Sequence, residues 1–219
     1  MIHPSTELKF INAEIGFGVF ATDFIPAGAI TYITDPLEMV IHPSSPYMQI
    51  PEYRDTFFKY SHVEPDGIRI LSWDIARYMN HSCDPNTLST GYGFEIAIRD
   101  IAKGEHVTDD YGLFIGPEEL DCTCGSPHCR HHIDISSFDE NIPQWDVKAK
   151  AGLKHFRDAF QPLAKFMNPE LKSKLDNYLD TGRNYVSVKR LKWTPPAMEI
   201  PGKTSEKLLR KLGCEPVLS

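Results

Sequence analysis

The chain has 219 residues, 41% of them hydrophobic and 24% charged, with a formal net charge of −7, enough for one good-sized domain or one domain with a small appendage. No apolar run approaches the roughly 20 residues of a membrane span, and the N-terminus lacks a basic region followed by an apolar core, so an intracellular protein, nuclear or cytoplasmic, is expected. The acidic balance argues against a general nucleic-acid binder and suits either a basic partner or plain solubility.

Short strands bounded by Gly, Pro, Asn and Asp are expected from Thr6 to about Ile101. Glu14 to Ala21 reads as a turn leading into an apolar strand, and Phe24 to Ile30 as strand, turn and strand. The aromatic-rich stretch 47–66 is irregular, with room for one short helix. Gly93 to Arg99 alternates apolar and charged residues, the pattern of a half-buried strand. After about residue 136 the pattern turns helical. Leu153, Phe156, Phe160, Leu163 and Met167 recur at three- and four-residue spacing, with Pro162 as a kink or stop. Asn168-Pro169-Glu170 reads as a helix start and Gly182 as its end, and a last short helix is expected from Ser205 to Leu212.

Three segments carry chemistry. Cys122-Thr123-Cys124-Gly125-Ser126-Pro127-His128-Cys129 places three thiols within eight residues, with a Gly-Ser-Pro turn to bring the third round. Three thiolates so close can grip one tetrahedral zinc, and a closed site needs a fourth ligand. By spacing alone that ligand is open among Cys83, Cys214, His128, His131 and His132. Arg77 to Asn86 (RYMNHSCDPN) is dense in polar groups that can hold a ligand, and Gly104 to Gly112 (GEHVTDDYG) ends on Tyr111. Taken singly, Asn80 and Asn86 pass as turn formers, His81 as a core histidine and Tyr111 as ordinary core.

In order along the chain, the turn Gly16-Phe17-Gly18, the RYMNHSCDPN segment, the GEHVTDDYG segment and the CxCx4C array resemble the SET-domain protein-lysine methyltransferases that carry a post-SET zinc segment. The resemblance covers roughly residues 5–132. It implies a mainly β (α+β) fold of small curved sheets with a knot-like core, in which the Asn80-His81 and Asp110-Tyr111 segments cross. The implied organisation is a SET domain over 5–115, a post-SET zinc segment over 118–133 and a helical C-terminal extension over 136–219, packed on the SET domain.

The same resemblance implies S-adenosylmethionine as cofactor and the side-chain amine of a protein lysine, histone tails included, as acceptor. Neither nucleic acid nor membrane is implied as a partner. Tyr111 takes the catalytic tyrosine's place, and Gly16, Phe17 and Gly18 would cradle the methionine part of the cofactor. Asn80 and His81 would hold the cofactor, Arg77 and Tyr60 would support it, and Cys83 would join Cys122, Cys124 and Cys129 on a structural zinc, leaving Cys214 out.

Asp109 departs from the pattern, since relatives usually carry an aromatic residue there that influences how many methyl groups are added. A carboxylate at that position can hold a water, bind the substrate amine or keep it protonated. Substrate choice is assigned to the 33–70 insertion and the tail. Two other readings compete: a catalytically inactive SET-like module that binds cofactor or peptide, favoured by Asp109, and a zinc-dependent interaction protein, which leaves the NHSCxPN and DYG segments unexplained.

Overall fold

A hairpin opens the chain in the computed structural model, which describes residues 1–194. Strand β1 (Thr6–Asn12) pairs antiparallel with β2 (Gly16–Ala21), from Thr6 opposite Ala21 to Asn12 opposite Gly16. The Asn12 side chain sets the turn by accepting the Glu14 and Ile15 N–H groups at 3.0 and 2.8 Å. Gly16 follows at φ +81°, a left-handed backbone that glycine adopts without steric cost.

Strands β3 (Ile30–Ile33) and β4 (Met39–Ile41), helix α1 (Pro51–Tyr60), and strands β5 (Ser61–Val63) and β6 (Arg69–Leu71) follow. Helix α1 starts with proline at a first-turn position, where its missing N–H costs nothing. Then come β7 (Asn80–His81), β8 (Thr87–Ser89), β9 (Phe94–Ala97) and β10 (His106–Asp109), while β11 (Leu120–Asp121) and β12 (His132–Ile133) bracket the cysteine loop. Among the described residues these strands make four small sheets, ordered β1-β2-β10-β7, β3-β9-β8, β4-β6-β5 and β11-β12.

Strand β10 changes partner along its length. His106 and Val107 pair antiparallel with Phe20 and Val19 of β2, while Thr108 and Asp109 pair parallel with Asn80 and His81 of β7. Buried Asn86 clamps the junction: its Nδ2 donates to the His106 carbonyl at 2.8 Å and its Oδ1 accepts the Thr108 N–H at 2.9 Å. Strand β9 is buried over its whole length, although its alternating sequence reads as half-buried. Phe94 and Ile96 pack in one cluster with Leu153, Leu163 and Leu175, which leaves Glu95 on the opposite face, where it lines a cavity.

The helical part begins earlier than its periodicity suggests. Helix α2 (Phe138–Leu153) ends where a helix was expected to run, and residues 154–163 are turns and irregular chain, followed by a single 3-10 turn at Ala164–Phe166. Two constraints break the helix. Gly28, at φ +89°, lies so close to the His155 backbone that a Cβ there would sit 2.4 Å from its carbonyl carbon. Gln161 then takes over the local backbone bonds, donating to the Gly28 and Phe156 carbonyls at 2.6 and 2.8 Å and accepting the Ile30 N–H at 2.9 Å. Leu153, Leu163 and Met167 are buried from these turns, whereas Phe160, counted with them by spacing, is 78% exposed. Pro143 inside α2 hides that helix from a sequence reading.

Helix α3 (Pro169–Thr181) follows its signals. The Asn168 side chain accepts the Glu170 and Leu171 N–H groups, and Gly182 ends the helix at φ +67°. The expected helix over 205–212 and Cys214 lie outside the described residues.

Leu175 of α3 is fully buried against the β3-β9 face. Leu175→Ala should cost about 2–5 kcal/mol by transfer and cavity terms and lower the melting temperature of the full chain by roughly 5–15 °C in calorimetry. Phe160→Ala should leave it within about 2 °C, since exposed substitutions away from special contacts change stability little.

Candidate active site

The parallel step between β7 and β10 brings the two polar segments together. The Tyr111 N–H donates to His81 Nδ1 at 3.1 Å, and the Tyr111 hydroxyl donates to the Met79 carbonyl at 2.5 Å. Tyr111 is therefore held at both ends, by β7 and by the residue before it. Burial, then the negative charge of Asp109 and Glu95, pushes its phenol above the ordinary range, so the hydroxyl stays neutral. Burial also pulls the His81 imidazole down to about 4. A neutral His81 that accepts at Nδ1 carries its proton on Nε2, which lies 3.2 Å from Cys83 Sγ.

Asp110 ties this segment to two later parts of the chain. Its Oδ1 accepts the Gly112 N–H at 3.0 Å and pairs with the Arg130 guanidinium just past the cysteine loop, while its Oδ2 accepts the Trp145 indole N–H of α2 at 2.8 Å. Trp145 is 3% exposed and packs on Phe138, Leu113 and Leu88. The helical part thus reaches the residue beside Tyr111 directly.

The glycine turn stands on the other side of β7. The Asn80 side chain donates to the Phe17 carbonyl at 3.0 Å, and Gly18 is held so tightly that a Cβ would meet His106 Nε2 at 2.6 Å and Asn80 Nδ2 at 2.8 Å. Gly16 by contrast has nothing within 4 Å of its missing Cβ, so the space beside it is open. Phe17, Tyr78 and Tyr60 form an edge-on aromatic chain with centroids 6.0 and 5.5 Å apart, and the Arg77 guanidinium lies 5.5 Å over Tyr78.

A cavity of about 410 Å³ opens beside this chain. Tyr60, Arg77, Asp109 and Tyr111 line it, as do Glu95 and Met79. Gly16, Phe17, Gly18, Asn80 and His81 are not among its walls; they flank it through β7 and the aromatic chain. Asp109 is fully buried and Glu95 is 8% exposed. Asp109 Oδ1 accepts the Asp110 N–H at 2.6 Å, while Asp109 Oδ2 and Glu95 Oε2 find no donor among the described residues. Desolvation pushes Glu95 up to about 7 and Asp109 well above the usual carboxylate range, with the charge of Glu95 adding to the shift of Asp109. The two carboxyls face each other closely enough for one, protonated, to donate to the other.

Cys83, Cys122, Cys124 and Cys129 converge despite lying up to 46 positions apart. Cys122 Sγ is 3.8 Å from Cys83 Sγ and 3.6 Å from Cys129 Sγ. A tetrahedral zinc with sulfur at about 2.3 Å requires sulfur–sulfur edges of about 3.8 Å, so these spacings fit one metal. The Arg130 and Cys83 N–H groups point at Cys83 Sγ and Cys124 Sγ at 3.3 and 3.5 Å, which favours thiolates. His81 also stands within 4.8 Å of Cys83, Cys122 and Cys124, with its Nε2 proton facing the Cys83 sulfur. Cys214 lies outside the described residues.

Glu95, Met79, Arg130 and Trp145 escape a motif reading. Glu95 looks like the solvent face of an alternating strand, and only the pairing of β9 between β3 and β8 turns it inward. Met79 acts through its backbone carbonyl, which has no side-chain signature. Arg130, adjacent to Cys129, was the one within reach of inference.

Residues 16–112 match the family model described as SET domain. The histone-lysine N-methyltransferase set1 of Dictyostelium discoideum is 30% identical over 139 residues, which is 58% of this chain and 9% of that protein. The histone-lysine N-methyltransferase ATX2 of Arabidopsis thaliana is 38% identical over 73 residues, 30% of this chain and 7% of that protein. The chain therefore spans less than a tenth of the length of these curated relatives. Among solved structures, the methyltransferase domain of human histone-lysine N-methyltransferase SETMAR is similar with a TM-score of 0.39 and 20% identity, covering 61% of this chain and 58% of that one. No helix among the described residues is long and apolar enough to cross a membrane.

The buried carboxyls give a pH test. Carboxyls of the unfolded chain titrate near 4, whereas Glu95 rises to about 7 and Asp109 shifts the same way. The folded state then binds more protons than the unfolded one between about pH 4 and 7, and stability falls as pH rises through that window. The urea midpoint of the parent should drop between pH 5 and pH 8, and drop less in Asp109→Asn. Equal drops in both proteins contradict a buried pair.

Proposed function

We propose that this chain, whose residues 16–112 are a SET domain, transfers methyl groups from S-adenosylmethionine to the side-chain amine of a protein lysine. The observation that carries this reading is Tyr111. Its neutral hydroxyl is committed as donor to the Met79 carbonyl, so its oxygen is left to accept an N–H from a substrate at the cavity wall. That arrangement suits a group that orients an amine and not one that removes its proton, because a raised phenol is a poor base.

Glu14 to Gly18, Asn80 and His81, with Arg77 and Tyr60 in support, would hold the cofactor; the open space at Gly16 and the aromatic chain beside Arg77 suit a ligand with a planar base and a charged end. The cofactor supplies an electrophilic methyl on a cationic sulfur. The chain's own residues exclude water, align the nitrogen and keep the Tyr111 hydroxyl in place. The relatives' names point to histones as the first substrates to try, and a histone substrate implies action in the nucleus. The four cysteines suit a closed structural Zn2+ that secures the 122–129 loop against β7.

Purified full-length protein incubated with radiolabelled S-adenosylmethionine, core histones and a cell lysate should label a lysine. Tyr111→Phe should lose about 100-fold or more in turnover while holding the cofactor within about twofold. Near-normal turnover in that variant removes the role given to Tyr111, and cofactor binding without any transfer by the parent moves the protein to an inactive binding module. Elemental analysis should find about one zinc per chain, lost in Cys122→Ser, whose melting temperature falls with it; metal-free parent protein of unchanged melting temperature rules the zinc site out.

A further inference from the structure

Helix α2 lies outside the matched residues 16–112, yet it sends a donor into the turn that holds Tyr111. Asp110 opens that turn. Its Oδ1 caps the 3-10 turn Tyr111–Leu113 by accepting the Gly112 N–H, and its Oδ2 accepts the Trp145 indole N–H at 2.8 Å. Asp110 and Trp145 are both buried, and among the described residues the indole is the donor that Oδ2 has. The turn is also closed by packing. A Cβ on Gly112 would lie 3.0 Å from the Trp145 ring and 3.1 Å from the Arg130 guanidinium, and fully buried Leu113 shares a cluster with Trp145.

The far end of this brace is fixed as well. Asp146, the next residue, accepts the Tyr185 and Ser187 hydroxyls at 3.0 and 2.7 Å and the Val188 N–H at 3.0 Å. The 185–190 segment in turn presses on the turn between β8 and β9. A Cβ on Gly91 would lie 2.2 Å from the Val186 carbonyl oxygen, the Tyr92 hydroxyl accepts the Val186 N–H at 3.1 Å, and Arg190 donates to the Gly91 carbonyl at 2.8 Å. Trp145 is thus tied through Asp146 to the β3-β9-β8 sheet, and holds Asp110 from a fixed point.

We infer that Trp145 is a positioning residue for Tyr111, so that helix α2 is a working part of the methyl-transfer site. The inference rests on the role given to Tyr111. Without the indole N–H, Asp110 Oδ2 stays buried with no donor, and it escapes that cost only if the carboxyl turns out of its cap. Tyr111 begins the capped turn, with its ring between His81 and Phe114 at centroid distances of 5.4 Å each. A shift of the turn draws its hydroxyl off the Met79 carbonyl, and a displacement of about 1 Å costs on the order of 100-fold in rate. The residues assigned to the cofactor stand on β2 and β7 and are spared.

Two substitutions in the full chain separate positioning from packing. Trp145→Phe removes the N–H and keeps an aromatic ring. Ile142→Ala removes an apolar contact to the same cluster, three residues earlier on α2. Parent and variants are labelled with fluorotyrosine, and the fluorine NMR signal missing from Tyr111→Phe is assigned to Tyr111. Trp145→Phe should move or broaden that signal, lower kcat on core histones roughly tenfold or more, and hold S-adenosylmethionine within about twofold of the parent. Ile142→Ala should melt earlier yet keep the Tyr111 signal and kcat of the parent. A parental Tyr111 signal or a parental kcat in Trp145→Phe overturns the inference, and so does an equal change in Ile142→Ala. If Trp145→Phe does not fold, hydrogen exchange in the parent decides: the indole N–H of Trp145 should open no more often than the Tyr111 amide, and a freely exchanging indole beside a protected Tyr111 amide overturns the inference. A parent that transfers no methyl group sinks the methyltransferase reading, and the fluorine signals then decide the coupling alone.

Discussion

The parallel pairing of Asn80-His81 with Thr108-Asp109 is the constraint on which the rest of the site depends. Two strands 26 residues apart in sequence lie side by side for only two residues. On one side of that pairing stand Cys83 and the cysteine cluster; on the other stand the glycine turn and the aromatic chain. Tyr111 follows directly from it, since its N–H bonds His81 and its hydroxyl bonds the residue just before β7. So short a contact is not stable by itself. Asn86, with both ends of its amide committed to the β10 backbone, holds the register from outside.

Asp110 extends that constraint into the later chain. A single buried carboxylate accepts from Arg130 and Trp145 and from the backbone of its own turn. A buried acceptor with this many donors is fixed in position. The cysteine loop and helix α2 are thereby coupled to the residue next to Tyr111. This gives the helical part a physical reason to be present that the motif pattern does not contain.

Charge beside Tyr111 is arranged by contrast. Asp110 is buried and fully served with donors, while Asp109, its neighbour, is buried with one oxygen unserved. The same residue type one position apart therefore does two kinds of work. The first ties the cysteine loop and α2 to this turn, and the second faces the Glu95 carboxyl. Burial of an unserved carboxyl raises its proton affinity, and a second carboxyl beside it raises it further.

Local signals in the sequence determined much that is local. Asn12 and Gly16 specify the hairpin turn, Asn168, Pro169 and Gly182 delimit α3, and the cysteine spacing marks a loop that gathers its sulfurs, because each depends on hydrogen bonds or backbone angles within a few residues. Motif order was enough to join distant segments into one site and to single out Tyr111 and Asp109. Helix periodicity after residue 153 misled, because apolar spacing cannot register the close approach of Gly28 to the His155 backbone or the bonds made by Gln161. The inward turn of Glu95, the Met79 carbonyl as partner of Tyr111 and the reach of Trp145 to Asp110 were decided by tertiary structure alone. All three are contacts between elements far apart in the chain, and a residue's own neighbours in sequence carry no energy term for them.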